Sequence, residues 1–298
     1  MGIGNSPFAA FRHSTRIMDC RFEVVTPGPN VSLQRNAACR VIEKWQHLHR
    51  LFNRFDPNSE ISVINRATPG QAVSVDEDVA ACLQIAERLR VDTGGAFDIE
   101  ASAVEDSERP KRKAVRDRSW GLEKSKKRYR IRLSNPGFCV GSYLDFGGIA
   151  KGYALDRGLE ILQQCEVESS LLIGGTSTVL ALGSPSADVP GWLVSMAEGW
   201  GCPELFTKVW LKDRALSASG TRKRGPHIKD PKKGGPAQGH LAAWASYTSA
   251  AEADALSTAF MVMETDEVEA LCDRDIRVSA LVITHTGACR TFNSEFLF

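Results

Sequence analysis

Four short stretches bring together residue types that could do chemistry. In DFGGIAKG (145–152) a glycine pair separates a strand-like YLD from a helical run. Such a turn exposes backbone N–H groups and lets a ligand approach the chain closely. Lys151, in the first turn of that helix, could meet a phosphate, and Asp145 could accept from a ligand hydroxyl or base. The segment is not a Walker loop, which has a longer glycine span and Lys-Ser/Thr, and it is not GxGxxG. Tight packing at a helix start accounts for the same residues. In EADALSTA (252–259), Asp254 and Thr258 stand at i and i+4 and share a helix face. A carboxylate and a hydroxyl so placed suit Mg²⁺, which takes few protein ligands beside phosphates and water. A threonine bonded back to its own helix would look the same. DTGGAFD (92–98) sets Phe97 beside open backbone, where its ring could meet a flat ligand or pack in the core. GPHIKDPKKGG (225–235) holds His227 between a Gly-Pro and an Asp-Pro pair. It is either a solvated loop histidine or a base with a pKa near 6.5.

The elements around these stretches follow from periodicity. RFEVVTPG (21–28) reads as a strand ended by Pro-Gly. In 35–55, Val41, Trp45, Leu48, Phe52 and Phe55 recur at helical spacing and predict one buried face, with His47 and His49 at its edge. Residues 56–66 form a turn and a short segment. A second helix within 76–98 turns Val79, Cys82, Ile85, Ala86 and Leu89 inward and stops at Thr93-Gly94-Gly95. Residues 103–128 are dense in charge without apolar periodicity and read as a solvated excursion. A strand at 129–133 precedes a helix that carries Leu155, Leu159 and Leu162 on one face. Several β-rich segments follow, then a helix at 251–263 and a last strand at 278–285. Strands come in runs between helices, which predicts an α+β fold with mixed sheets and flanking helices rather than a doubly wound one.

The chain of 298 residues is long enough for one large domain or two closely joined lobes. A net charge of +1 gives no global attraction to nucleic acid. Eight cysteines without a CxxC pair fit neither a zinc site nor a small disulfide framework, and read as free thiols in a reducing compartment. No run of about 18 apolar residues could span a membrane. The first residues lack the basic-then-apolar order of a secretory signal, so a cytoplasmic location is expected.

Taken together, the stretches resemble the ApbE-type FAD:protein FMN transferases. FDPNSEISVINR, TGGAFD, LDFGGIAKGYALD, SASG with HIKDPKKGGP, and AEADALSTA are similar to that family's motifs and stand in its order, from about residue 16 to the C-terminus. The resemblance implies an N-terminal tail at 1–15 and one domain at 16–298, with FAD in a groove between two lobes. It implies a Mg²⁺ ion on the FAD pyrophosphate, held by Asp254, Thr258 and the backbone carbonyl of Gly148. Flavin-nucleotide contacts would come from Met18, Gly95, Ala96, Phe97, Asp145, Lys151 and the backbone at Lys229. His227 would be the base, and with Asp254 would carry catalysis. The implied reaction moves FMN from FAD to a threonine of an acceptor protein and releases AMP. The alternatives are an FAD pyrophosphatase using water and a flavin-nucleotide binder without turnover. The departures lie in recognition: Met18-Asp19-Cys20 stands where the family has Met-Gly-Thr, Gly174-Gly175-Thr176 where it has Gly-Gly-Asp, and Ala218-Ser219-Gly220 where it has Thr-Ser-Gly. Lys229 replaces an apolar residue, and the link between AFD and DFGG is short.

Overall fold

The computed structural model describes residues 10–28, 30–102, 120–125, 128–133, 142–196, 208–222, 225 and 227–296. Among them an antiparallel sheet of eight strands forms the centre. Its strands are β1 (Ala10–Ile17), β2 (Cys20–Pro27), β8 (Ser170–Gly174), β9 (Thr178–Leu182), β12 (Ala215–Gly220), β13 (Ala242–Tyr247), β14 (Ser279–Ile283) and β15 (Cys289–Phe292), paired in that order. The period-2 alternation of strand side chains divides their apolar residues between two cores. Phe22, Val24, Leu172, Leu180, Ala243, Ala245, Ala280 and Val282 face one side. Val25, Leu171, Val179, Ala181, Leu216, Trp244, Leu281 and Ile283 face the other. That second face is covered by a hairpin of β10 (Trp192–Ser195) and β11 (Lys208–Leu211) through Trp192, Val194, Val209 and Leu211.

The first face carries the helices. These are α1 (Val31–Phe52), α2 (Glu60–Arg66), α3 (Glu77–Asp92), α4 (Ala150–Gln164), α5 (Ala250–Phe260) and α6 (Thr265–Arg274). A three-stranded sheet, β3 (Ala72–Val75), β6 (Arg128–Leu133) and β5 (Trp120–Ser125), packs beside α3, and β4 (Glu100–Ser102) pairs with β7 (Ser142–Leu144). Val73, Ile131 and Leu133 join the same apolar core as Trp45, Tyr153 and Phe260, so small and large sheets share one interior. Helix starts follow local capping: Asn30, Ser59, Asp76 and Ser249 each accept from a backbone N–H of the first turn, and Glu264 with Glu267 makes a capping box.

Several expectations change. Helix α1 ends at Phe52, and Phe55 lies beyond it with 74% of its surface exposed, so it is no core residue. Residues 10–15, read as tail, belong to β1, and 120–125, read as excursion, form β5; 103–119 and 126–127 lie outside the described residues. Cys289 is disulfide-bonded, which corrects the reading of all eight thiols as free, while Cys20, Cys39, Cys82, Cys165 and Cys272 are free. None of the described helices is long and apolar enough to cross a membrane.

Candidate functional site

The site grows from the crossing of α4 and α5. Gly152, in the first turn of α4, has no room for a side chain: a Cβ there would lie 2.0 Å from the carbonyl oxygen of Ala250. The two helix starts therefore touch backbone to backbone, and each is capped by a carboxylate from the other helix. Asp156 of α4 accepts from the Ala250 N–H (2.7 Å), the Ala251 N–H (2.9 Å) and the Ser249 hydroxyl (2.7 Å). Asp254 of α5 accepts from the Gly152 N–H at 3.2 Å. Both arrangements place a negative charge at the positive end of a helix dipole. Burial pushes the Asp156 carboxyl up to about 6, against the pull of its three donors.

Asp254 is 2% exposed and gathers more than the helix start. Thr178 on β9 and Ser217 on β12 donate to Oδ1 at 3.2 and 3.0 Å. The Lys151 ammonium stands 3.1 Å from both carboxylate oxygens. One turn on, the Thr258 hydroxyl donates to the Asp254 carbonyl at 3.2 Å and lies 3.4 Å from Ser219 Oγ. Ser219 and Ser257 share a hydrogen bond of 2.9 Å. Ser217 and Ser219 alternate along β12 and so point to the same face, toward α5.

The glycine turns close in on this centre. A Cβ on Gly148 would lie 3.3 Å from Thr258 Oγ1 and 3.2 Å from the Phe97 ring, so the turn before α4 runs against both. Phe97 is a core residue, 3% exposed, held by its N–H on Thr93 Oγ1 at 3.0 Å. Gly94 and Gly95 ahead of it take left-handed backbone (φ 58° and 83°), and Ala96 is buried beneath them. Asp145 accepts from the Gly147 N–H at 2.9 Å and pairs with Arg54 Nε at 3.0 Å, yet stays half-exposed. On the other side, Gly174 abuts Lys151 and Gly175 abuts Cys20 Sγ. Cys20 follows the two-residue turn Met18-Asp19, both in left-handed backbone (φ 48° and 56°), the geometry of a type I′ hairpin that glycine usually serves. The Met18 N–H reaches His49 Nδ1 at 3.4 Å.

His227 stands apart. Among the described contacts none joins it, or the exposed Lys229, to the Asp254 group. Its ring is exposed and its Nδ1 lies 3.0 Å from the Gly225 carbonyl. A carbonyl only accepts, so the neutral ring carries its proton on Nδ1 and leaves Nε2 free to take one. The loop is fastened at its base. Ile228 packs on the main core, Lys229 bridges Pro236, and buried Asp230 accepts from the Lys232 and Lys233 N–H groups at 2.7 and 3.0 Å. His240 closes it, its Nδ1 2.6 Å from the Phe260 carbonyl and Nε2 3.1 Å from Thr265 Oγ1. Burial holds that ring below the ordinary histidine pKa.

Of the residues singled out from the sequence, the fold brings Gly148, Phe97, Lys151, Asp254 and Thr258 together. Sequence reading missed Arg54, Thr178 and Ser217, and Asp156 as a cap. Only the alternation of Ser217 and Ser219 carried a signal in advance. A second acidic group, His47, Asp76 and Asp78, offers ligand atoms within 4.8 Å of one another. Its buried member is already bound, with Asp78 taking Lys44 Nζ at 2.5 Å and the Tyr153 hydroxyl at 3.0 Å. A cavity of about 360 Å³ beside α3, lined by Gln84, Arg88, Val91, Trp120 and Leu122 among others, shares no residue with the Asp254 centre.

The fold and site together define an α+β protein whose central antiparallel sheet carries hydroxyl side chains against an acidic helix, beside glycine turns and a lysine. Solved structures of that fold are similar over nearly the whole chain. The ApbE protein from Thermotoga maritima matches with a TM-score of 0.79 at 22% identity, covering 96% of this chain and 98% of that one. The flavinyl transferase ApbE from Pseudomonas stutzeri matches with a TM-score of 0.77 at 21% identity, covering 98% of each. The FAD:protein FMN transferase of Haemophilus influenzae is 25% identical over 273 residues, covering 81% of this chain and 77% of that protein. The profile of the ApbE family matches residues 18–282, and the chain belongs to that family.

Proposed function

We propose that this ApbE-family transferase moves FMN from FAD to a threonine hydroxyl of an acceptor protein, with AMP leaving. The observation that carries the reading is the meeting of Asp254, Thr258 and the Gly148 turn beside Lys151, and the name of the Haemophilus influenzae relative supports it. The residues fit a magnesium ion by their chemistry. Asp254 and Thr258 are hard oxygen donors one helical turn apart, the Gly148 backbone lies against that hydroxyl, and the carboxylate already holds a positive charge. Bound there, the ion would neutralise charge on the FAD pyrophosphate.

The chain's own residues do the rest. Lys151 offers a second positive charge at the start of α4. The glycine turns at 94–95 and 147–148 let the nucleotide approach the backbone. The bond that forms joins the threonine oxygen to the FMN phosphorus, and the bond that breaks is the pyrophosphate oxygen bridge to AMP. The hydroxyl proton passes to His227 Nε2, which the Gly225 carbonyl leaves unprotonated. AMP departs with the electron pair on its phosphate oxygen.

The test is to incubate the protein with FAD and Mg²⁺, with and without a threonine-bearing acceptor, and to measure AMP by chromatography and flavin fluorescence on the acceptor. Replacing His227 by Ala should lower AMP release by about 10²–10⁴-fold without moving the melting temperature, because the ring is exposed and makes one hydrogen bond among the described residues. AMP without flavin on the acceptor would mean hydrolysis instead of transfer. FAD binding without AMP would overturn the enzyme reading and leave a flavin-nucleotide binder.

A further inference from the structure

Asp254 cannot hold its present partners and a metal ion together. Its Oδ1 takes Lys151, Thr178 and Ser217, and its Oδ2 takes Lys151 and the Gly152 N–H. A carboxylate has about four lone-pair sites, and five donor contacts fill them. Three of the five come from groups that cannot leave: a helix-start N–H packed against α5 and two hydroxyls on buried strand positions. The Lys151 ammonium, counted on each oxygen, is the exception. It sits on a flexible four-carbon arm whose side chain keeps 21% of its surface exposed. A carboxylate this buried is costly without a cation beside it.

We infer that Lys151 is an exchangeable placeholder: it neutralises Asp254 when the site is empty, and must move off before Asp254 can ligate a divalent cation. The inference rests on the reading of Asp254 as a metal ligand and adds an order to it. Lys151 grows from the first turn of α4, directly after the Gly147-Gly148 turn, so an anion entering over that turn offers the ammonium a second partner. A phosphate-bearing ligand then draws Lys151 away and opens Asp254. The cation and the ligand strengthen each other's binding, by the same factor in both directions. Substrate-free protein holds the cation weakly, which keeps the site from filling before its nucleotide arrives.

The experiment measures Mn²⁺ affinity by the electron paramagnetic resonance signal of free Mn²⁺, with and without FAD. All samples carry His227→Ala so that FAD is not consumed. Without FAD, Lys151→Met is expected to bind Mn²⁺ at least about fivefold more tightly than the Lys151 form, the low end of measured site-to-site couplings. FAD should tighten Mn²⁺ binding to the Lys151 form by a larger factor than to Lys151→Met, where only the direct attraction between the ion and the pyrophosphate remains. Lys151→Arg keeps the charge and adds a fork matched to a carboxylate, so it should bind Mn²⁺ no more tightly than Lys151. Equal or weaker binding by folded Lys151→Met, with FAD still tightening Mn²⁺ on the Lys151 form, overturns the exchange and leaves the metal site standing. Tighter binding by Lys151→Arg overturns it too, whatever the folding of the Met variant. No Mn²⁺ binding by any form, with or without FAD, overturns the metal reading and the exchange together.

Discussion

Asp156 and Asp254 have the same structural task from opposite sides of one helix crossing. Each sits on one helix and caps the start of the other. Their surroundings differ in one respect. Asp156 is closed off by two backbone N–H groups and a serine hydroxyl, all of them part of the α5 start, and burial pushes its carboxyl up to about 6. Asp254 adds two strand hydroxyls and a lysine that reaches in from the solvent side. A carboxylate satisfied wholly by fixed donors has nothing to exchange. One that holds a mobile cation does, and this difference separates the acid that only caps a helix from the one proposed to take part in the chemistry.

Four changes test the contrast between the two acids. Replacing Asp254 by Ala strands the Lys151 ammonium, the Gly152 N–H and two buried hydroxyls; removal of one partner from a buried pair costs about 3–5 kcal/mol. AMP release should vanish with it, and urea unfolding beside chromatography reads both. Gly152→Ala puts a methyl into the Ala250 carbonyl and should push the two helices apart, costing about 1–3 kcal/mol as overpacking does. It should impair both carboxylates at once, seen as a lower unfolding midpoint and weaker FAD binding.

Asp156→Ala removes only a cap, worth about 0.5–2 kcal/mol. The folded variant should keep AMP release; loss as complete as in Asp254→Ala would erase the distinction between the two acids. The smallest effect is in pH. The folded-state pKa of Asp156 lies above its ordinary 3.8, so the acid binds a proton more readily folded than unfolded. Its contribution to stability is full below about pH 4 and is lost as pH rises through about 6. The stability of the wild type relative to Asp156→Asn should therefore decline from pH 4 to pH 7 in urea titrations. A flat difference would mean that the three donors outweigh burial.

Much of this was legible beforehand where a signal is local. Helix α3 follows its periodicity, with Val79, Cys82, Ala86 and Leu89 buried, and ends at the glycine pair as expected. Strand β13 escaped notice because AAWASY is rich in alanine, a poor strand former, and is buried on both faces without alternation. The short amphipathic helix α6 lies between two stronger elements, and β15 follows the strand expected to be the last. Phe55 continued a helical spacing that the backbone had already left at Asn53.

At the site the division is the same. The order of glycine turns, the i, i+4 pair Asp254 and Thr258, and a lone loop histidine are properties of single segments, where short-range sterics and hydrogen bonding decide the conformation. Residue types and spacing were enough to single them out. Which cation Asp254 holds, which hydroxyls surround it, and which acid caps which helix depend on groups brought from 37, 76 and 103 positions away in the chain. No periodicity encodes such distances. They were decided when the sheet's alternation turned Thr178, Ser217 and Ser219 toward α5 and when Gly152 let α4 meet α5 backbone to backbone.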